Sequence, residues 1–281
     1  VIEVAAGCVS VSSRHVFQIG RCRNIFQEAL ATIDPIMSDP SPHVGSEQQE
    51  SSARRPVRSI VRRGGRITER QKRALEELWP RYGVEESGAP ETPAAWFGND
   101  HPVILEIGFG NGGATWRMAR DHPEQNFLGV EVHRPGIGHL LLALQREGLD
   151  NVRLACADAV EWLRCRIEPA SLDGVRIYFP DPWPKKRHHK RRMIQPEFIE
   201  LLASRMKTGA ILHLATDWAP YAEHMLEVMR GAPGFENLSA SGGACPRPEW
   251  RPRTKYERRG ERLGHPVTDL VFRRSRTDGA D

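Results

Sequence analysis

Cysteine is scarce in this sequence of 281 residues, and no two cysteines stand in a CxxC pair. An odd number of cysteines without that spacing indicates neither a zinc knuckle nor a disulfide scaffold. The sequence therefore predicts no metal site and a location in a reducing cytoplasm. The five cysteines are Cys8, Cys22, Cys156, Cys165 and Cys245.

Long apolar stretches are also missing. No run of apolar residues approaches the length needed to cross a bilayer, and the first residues lack the charged-then-apolar order of a signal peptide. No internal repeat is visible either. These absences predict a soluble, cytoplasmic protein that does not use a membrane as a partner.

The positive charge of the chain is modest in total but clustered. The net charge is only +4 at pH 7, so the position of the charges says more than their sum. Lysine and arginine concentrate in residues 54–70, 185–192 and 247–262. Each cluster could follow a polyphosphate backbone, which makes a nucleic acid the expected partner.

Composition divides the chain into three parts. Residues 1–53 have no sustained helical or strand period and end in a polar run, so we predict that they are largely disordered. Met37 opens that polar run and is a candidate for the native translation start. Residues 54–80 are predicted to form a basic arm and an amphipathic helix, and residues 81–281 the main domain.

The basic arm leads into the predicted helix. Arginine alternates with small apolar residues, and Thr68 is placed to cap a helix that reaches Trp79 and stops at Pro80. A basic arm of this kind suits RNA contact, although a solvated linker is an equally consistent interpretation. The residues that this helix is expected to bury are Ala74, Leu75, Leu78 and Trp79.

From residue 103 onward, predicted strands alternate with predicted helices. The strands are expected at residues 103–107, 126–130, 152–155, 175–179 and 210–215, near residue 235, and at residues 267–272. The helices are expected up to about residue 120, at residues 137–146 and 159–164, from Pro196 onward, and at residues 221–229. Repeated βα units predict an α/β fold with a mostly parallel, seven-stranded sheet and helices on both faces.

A glycine-rich turn follows the first strand of this series. Residues 106–113 read EIGFGNGG, which fits both the GxGxxG turn of dinucleotide-binding proteins and the GxGxG turn of S-adenosylmethionine enzymes. Glu106 at the end of the strand would face a pyrophosphate unfavourably but could pair with the ammonium group of a methionine moiety. The carboxylate therefore favours a methyl donor over NAD.

Two further acids follow the next two strands. Glu131 could accept hydrogen bonds from both hydroxyls of a ribose, a device that NAD enzymes share. Asp158 could accept from an adenine amino group, and it is equally well placed as a helix N-cap. Acids at three successive strand ends favour a cofactor site at this edge of the sheet.

A short segment sets one carboxylate beside dense positive charge. Residues 179–192 read FPDPWPKKRHHKRR, and Asp181 comes just past the predicted strand. Prolines at every second position fix φ and would hold this carboxylate in place. A proline-rich basic surface loop is the plainer alternative. Trp183 is expected to anchor the segment rather than stack on a base, and the two adjacent histidines lack further metal ligands.

Five ordered motifs carry a resemblance to a known family. They are LEIGFGNG at residues 105–112, GVEVH at 129–133, FPDPWPKKRHHKRR at 179–192, ATDW at 215–218 and TKYERRGERLGH at 254–265. Together they resemble the bacterial tRNA (guanine-N7-)-methyltransferases over roughly residues 54–273. The resemblance implies a Rossmann-like class I methyltransferase fold with S-adenosylmethionine as the cofactor.

The resemblance also implies a reaction and a set of site residues. The reaction is methyl transfer to N7 of the guanosine at position 46, in the variable loop of tRNA, without a protein partner or a metal. The alternative is another S-adenosylmethionine-dependent RNA methyltransferase. Asp181 resembles the catalytic residue. The positions that resemble cofactor ligands are Glu106, Gly108, Gly110, Glu131, Asp158 and Asp181.

The remaining positions implied by the resemblance contact the substrate. Two of them have plainer interpretations: Asp217 could cap a helix, and Glu257 could pair with neighbouring arginines. The positions that resemble substrate ligands are Lys185, Asp217, Thr254, Lys255, Tyr256 and Glu257. The positions that resemble RNA contacts are Arg187, His188, His189, Lys190, Arg191 and Arg192. A dinucleotide-dependent oxidoreductase and a non-catalytic RNA-binding module are the rival functional classes.

Overall fold

A twisted α/β sheet organises the computed structural model, which describes residues 65–253, 257, 264 and 266–276. Within these residues the sheet has eight strands in the order β1-β4-β3-β2-β5-β6-β8-β7. Strands β1 to β6 pair in parallel, whereas β8 is antiparallel to both β6 and β7. The strands are β1 Gly83–Val84, β2 Val103–Ile107, β3 Asn126–Val130, β4 Val152–Ala155, β5 Leu172–Tyr178, β6 Met206–Thr216, β7 Phe235–Asn237 and β8 Thr268–Arg274.

The helices follow the strands as the βα alternation predicts. The α-helices are α1 Glu69–Glu77, α2 Trp79–Tyr82, α3 Thr115–Asp121, α4 Arg134–Glu147, α5 Ala159–Arg166, α6 Pro196–Arg205 and α7 Ala219–Arg230. Two short 3₁₀ helices cover Pro93–Trp96 and Lys186–Arg191. None of the helices within the described ranges has the length and apolar character that a membrane span requires.

Two apolar cores, one on each face of the sheet, hold the layers together. Neighbouring residues of β2 point to opposite faces: Leu105 joins the core that packs against α5, α6 and α7, and Ile104 packs against the core that includes α1, α3 and α4. Side chains alternate along a strand, so a strand covered on both faces is apolar throughout. The predicted mostly parallel sheet with helices on both faces is confirmed.

The predicted number of strands was seven, and the described residues contain eight. The additional strand, β1, pairs with β4 through only two residues, Gly83 and Val84. A strand of two residues is too short to show the alternation of apolar and polar residues by which a strand is recognised in a sequence. The missed strand lies at the edge of the sheet and does not change the course of the others.

The first helix begins where Thr68 predicts it. The Thr68 hydroxyl accepts from the backbone N–H of Gln71, and the Gln71 side chain accepts from the backbone N–H of Thr68, which completes a capping box. The predicted end of the helix was wrong. Helix α1 ends at Glu77, and α2 starts at Trp79 with Pro80 in its first turn, where proline is tolerated.

The apolar face of α1 is only partly buried. Ala74 is buried as predicted, whereas Leu75, Leu78 and Trp79 remain half-exposed. The Gln71 side chain donates to the carbonyl of Pro135, which attaches α1 to the start of α4. The predictions for residues 1–53, including Met37, and for most of the basic arm fall outside the described residues.

Candidate active site

A cavity of about 400 Å³ opens at the carboxyl ends of β2, β3 and β5. The strand order reverses between β2 and β5, and open α/β sheets bind their ligands at such a point. The glycine turn after β2 and the segment after β5 therefore face each other across the cavity. The lining residues are Ile107, Gly108, Gly110, Asn111, Val130, Glu131, Val132, His133, Ala157, Ala159, Ile177, Tyr178, Phe179, Pro180, Asp181, Trp183 and Met193.

Glycine is required in the turn after β2 for conformation and for close packing. Gly108 and Gly110 have φ angles of 73° and 58°, which disfavour a residue with a side chain. A Cβ atom on Gly136, in the first turn of α4, would lie 2.2 Å from the carbonyl oxygen of Gly110. The absence of a side chain at Gly136 thus allows α4 to approach the turn that forms one wall of the cavity.

Glu131 is held in place by three backbone N–H groups. Its Oε2 accepts from Gly110 at 2.9 Å, and its Oε1 accepts from Val132 at 2.7 Å and from His133 at 2.9 Å. A carboxylate has about four acceptor positions, so a position on Oε2 stays open toward the cavity. The three N–H groups fix the carboxylate before a ligand arrives and leave room for one further donor, so the predicted contact with both hydroxyls of a ribose stays a prediction.

Glu106 is nearly inaccessible to solvent, with 4% of its surface exposed. Thr115 donates a hydrogen bond from Oγ1 to its Oε2 at 2.7 Å. Burial raises the pKa of Glu106 to about 7, although the hydrogen bond from Thr115 and the charge of Arg176 act in the opposite direction. A carboxyl group in this state gains from a cationic ligand, but Glu106 itself does not line the cavity, so its predicted contact with a methionine ammonium stays a prediction.

Asp158 has the helix-capping role that the sequence left open. Its Oδ1 accepts from the backbone N–H of Val160 at 3.0 Å and caps α5. The neighbouring residues Ala157 and Ala159 line the cavity, whereas Asp158 itself does not. The predicted contact with an adenine amino group stays a prediction for the other oxygen of this carboxylate.

The segment after β5 carries Asp181 into the cavity on a strained backbone. Asp181 is exposed, and it lies between two non-glycine residues with positive φ, Phe179 at 53° and Trp183 at 43°. Such conformations cost free energy and persist only where the surrounding contacts enforce them. The prolines revealed the stiffness of this segment in the sequence, but they did not reveal the two left-handed residues.

The basic run that follows folds back on the same segment. The guanidinium of Arg191 lies 5.1 Å from the ring centroid of Trp183, and His188 meets that ring edge-on at 5.8 Å. Trp183 is half-buried, belongs to neither apolar core and lines the cavity, so the structure does not show its predicted role as an anchor in the core.

Arg192 differs from the other residues of the basic run because it is buried, with 3% of its surface exposed. Its Nε donates to the carbonyl of Pro182 at 3.0 Å, and its guanidinium lies 4.8 Å from the ring centroid of Tyr221. This position does not suit the direct RNA contact predicted for Arg192. The arginine instead fastens the carboxyl end of the basic run to the segment that carries Asp181.

The predicted substrate residues fall into three groups. Lys185 and Asp217 are exposed; Lys185 directly follows the segment that lines the cavity, whereas Asp217 follows β6, of which no residue lines it. No side-chain hydrogen bond caps α7, whose N-cap is Trp218, so the capping interpretation of Asp217 is wrong. Glu257 is buried with 3% of its surface exposed. Thr254, Lys255 and Tyr256 lie outside the described residues.

Glu257 pairs with a neighbouring arginine, as the plainer interpretation of the sequence allowed, but the pair is buried rather than at a surface loop. Both oxygens of Glu257 accept from Arg251, and Arg251 also donates to Asp269 of β8. Arg251 belongs to the basic cluster at residues 247–262, and spacing alone does not distinguish an inward arginine from a solvated one. An acid inside an otherwise apolar strand, as in the TDLVF run at residues 268–272, was the available signal.

Comparisons with known proteins identify the family of this chain. A family model described as "Putative methyltransferase" matches residues 100–270. The chain is 54% identical over 229 residues to a tRNA (guanine-N(7)-)-methyltransferase of Stutzerimonas stutzeri, which covers 82% of this chain and 96% of the relative. It is 50% identical over 240 residues to the enzyme of that name from Alcanivorax borkumensis, with coverage of 85% and 98%. The chain therefore belongs to the tRNA (guanine-N(7)-)-methyltransferase family.

Proposed function

We propose that this protein transfers the methyl group of S-adenosylmethionine to N7 of the guanosine at position 46 in the variable loop of tRNA. The observation that carries the proposal is the meeting of the glycine turn, Glu131 and Asp181 around one cavity. The family supports a tRNA guanine as the substrate, and the cavity supports a nucleoside-containing methyl donor. A cytoplasmic location, where tRNA is modified in bacteria, is part of the proposal.

Three groups of the chain would hold S-adenosylmethionine. Glu131 offers an open acceptor position to the ribose, and the glycine turn lets the backbone approach the ligand closely. Glu106, whose pKa is raised to about 7, gains a cationic partner in the methionine ammonium. When bound, the cofactor supplies a methyl group on a positively charged sulfur.

The reaction needs position and charge control more than proton transfer. Guanine N7 carries a lone pair and no proton, so no general base is required for its attack on the methyl carbon. Well-oriented reactants can contribute roughly 7 to 11 kcal/mol through proximity. The chain's task is therefore to align N7 with the methyl carbon and to accommodate the positive charge that moves onto the guanine ring.

Asp181 is suited to both parts of this task. Its carboxylate can accept from the N1–H and the exocyclic amine of guanine, a donor pair that adenine lacks. Its negative charge favours the positive ring that forms. Strained φ angles at Phe179 and Trp183 restrict the segment on either side, which supports a fixed carboxylate rather than a mobile one.

The exposed part of the basic run is suited to the tRNA backbone. Arg187 and Lys190 are exposed, and the run directly follows the segment that bears Asp181. Phosphate contacts position a nucleic acid without reading its sequence. They would bring the variable loop to the cavity, whereas the choice of guanine would depend on the groups inside it.

The test is methyl transfer from radiolabelled S-adenosylmethionine to unmodified tRNA, with the label mapped by cleavage at 7-methylguanosine. We expect label at position 46 and none in a tRNA that has adenosine there. Asp181→Asn should lower kcat by at least about a hundredfold while cofactor binding persists. Asp150→Asn, at an exposed acid that pairs with Arg81 away from the cavity, is the matched control.

Three outcomes would count against the proposal. Label at another nucleotide would favour the alternative, a different S-adenosylmethionine-dependent RNA methyltransferase. If the protein bound a dinucleotide instead of S-adenosylmethionine, the result would favour an oxidoreductase. Near-normal turnover of Asp181→Asn would remove Asp181 from its assigned role and leave the overall reaction in place.

A further inference from the structure

A buried ion-pair network lies beside the segment that carries Asp181. Its centre is Arg251, which is 1% exposed and is bound by two carboxylates that are equally inaccessible. Its Nη1 and Nη2 donate to Glu257 at 2.7 and 2.8 Å, and its Nε and Nη2 donate to Asp269 at 2.6 and 2.9 Å. Each carboxylate thus forms a bidentate pair with one guanidinium, the geometry that arginine favours and lysine lacks.

The network continues from Asp269 to the end of β5. His213 Nε2 lies 2.8 Å from Asp269 Oδ1, and His213 Nδ1 lies 3.0 Å from the Tyr178 hydroxyl and 3.1 Å from Trp250 Nε1. An indole N–H can only donate, so His213 Nδ1 must accept and the proton must be on Nε2. Burial lowers the pKa of His213, which agrees with this neutral form.

The network also touches the wall of the cavity. Tyr178 and Phe179 both line the cavity, and Phe179 begins the strained segment. The guanidinium of Arg251 lies 5.9 Å from the ring centroid of Phe179. Asp181 follows two residues later, so the groups that hold Tyr178 and Phe179 also determine where Asp181 emerges.

We propose that Arg251 is a positioning residue for methyl transfer, which holds Phe179 and the end of β5 so that Asp181 faces the bound guanine. This inference rests on the proposed function for its kinetic consequence only. Removal of either carboxylate, or of the guanidinium, leaves buried charge without its partner and releases the contact on Phe179. The positive φ of Phe179, which requires support from its surroundings, would then relax.

The kinetic test compares Arg251→Lys with a matched buried arginine. Lysine keeps the charge and loses the two bidentate pairs, so we expect kcat to fall at least about tenfold. Affinity for S-adenosylmethionine should change by less than about threefold, because Arg251 does not line the cavity. Arg166→Lys is the control: Arg166 is 4% exposed and pairs with Glu91, and neither residue borders the cavity.

A second readout does not depend on activity. Residues 185–191 of the basic run offer several trypsin sites, and their cleavage rate in the native protein reports how firmly the preceding segment is held. We expect Arg251→Lys to raise this rate at least about fivefold and Arg166→Lys to leave it unchanged. If Arg251→Lys does not fold, Asp269→Asn replaces it, because the amide keeps the shape and removes the charge of one partner.

The outcomes separate this inference from the proposed function. Unchanged cleavage at residues 185–191 together with unchanged kcat in the folded variant would overturn the role of Arg251. An equal loss of kcat in Arg166→Lys would also overturn it, since general destabilisation would then explain both. If the wild-type protein failed to methylate tRNA, the proposed function would fall, and the cleavage rate would still decide whether Arg251 holds the segment.

Discussion

Thr115 donates a hydrogen bond to Glu106 at 2.7 Å near the end of β2. This bond lowers the pKa of Glu106 but does not bring it back to the usual value of a glutamate. Burial raises the pKa of Glu106 to about 7 in spite of it. At neutral pH the ligand-free protein is therefore a mixture of molecules with Glu106 protonated and molecules with Glu106 ionised. A ligand that carries an ammonium group selects the ionised form.

The first prediction is that affinity for S-adenosylmethionine falls as the pH is lowered through 7. A cationic ligand lowers the pKa of Glu106, so binding below pH 7 must first release a proton. The dissociation constant should rise by up to about tenfold for each pH unit below the pKa of the free site. Calorimetric titrations at pH 6 and pH 8 would measure this, and proton release can be read from buffers of different ionisation enthalpy.

Glu106→Gln provides the control for this pH dependence. Glutamine cannot ionise, so the affinity of this variant for S-adenosylmethionine should be weaker than that of the wild-type protein at pH 8. It should be nearly constant between pH 6 and pH 8. An equally steep pH dependence in this variant would assign the titration to another group.

The second prediction concerns Thr115, the hydrogen-bond donor to Glu106. Thr115→Val keeps the shape of the side chain and removes the hydroxyl, which helps to lower the pKa of Glu106. The pH midpoint for cofactor binding should therefore move upward, and the free energy of unfolding should fall by about 1 to 3 kcal/mol. The same calorimetric series, with a denaturant titration, measures both effects. A midpoint that stays at its wild-type value would contradict the assigned partner of Glu106.

The third prediction separates the two kinds of arginine in the basic run. Arg192→Gln should lower kcat, because it removes the hydrogen bond to Pro182, and should leave the salt dependence of tRNA binding unchanged. Arg187→Gln, at an exposed position, should weaken tRNA binding and reduce the salt slope by about 1. Binding measured over a range of salt concentrations, with kinetics at saturating tRNA, distinguishes them. A reduced salt slope in Arg192→Gln would indicate that Arg192 contacts the RNA directly.

The fourth prediction tests the packing behind the glycine turn. Gly136→Ala would place a Cβ atom 2.2 Å from the carbonyl oxygen of Gly110, so either α4 or the turn must move. We expect cofactor affinity to fall at least about tenfold, with a loss of thermal stability. Gly231→Ala is the control, because the nearest atom to its Cβ would be 3.7 Å away. Wild-type affinity in Gly136→Ala would show that the turn tolerates the displacement.

The sequence was sufficient for the central strands of the fold. Strands β2, β3 and β4 begin and end at the predicted residues, because apolar residues predominate in each. Strands β5 and β6 are longer than predicted, since their first residues include polar side chains at the edge of the apolar run. Helix α4 likewise starts three residues earlier, at Arg134, where proline in the first turn conceals the helical period.

The sequence predicted which residues lie at the site, but it did not predict which partners they contact. Residue patterns placed Glu131 and Asp181 at the strand ends where the cavity lies. They could not show that Arg192 and Arg251 point inward, because a run of positive charges looks the same whether its members face solvent or buried partners. Arg251 and its partner Asp269 are 18 residues apart, and only the return of β8 to the sheet brings them together.

The placement of β8 sets the order in which the protein can be completed during synthesis. This strand comes after β7 in the chain, yet it lies between β6 and β7, so β7 has no place in the sheet until β8 has emerged from the ribosome. Until then, the edge of β6 is unpaired and Arg251 lacks Asp269. Strands β1 to β6 can form the cofactor half of the molecule earlier. A nascent chain could thus enclose its methyl donor before it can align a guanine.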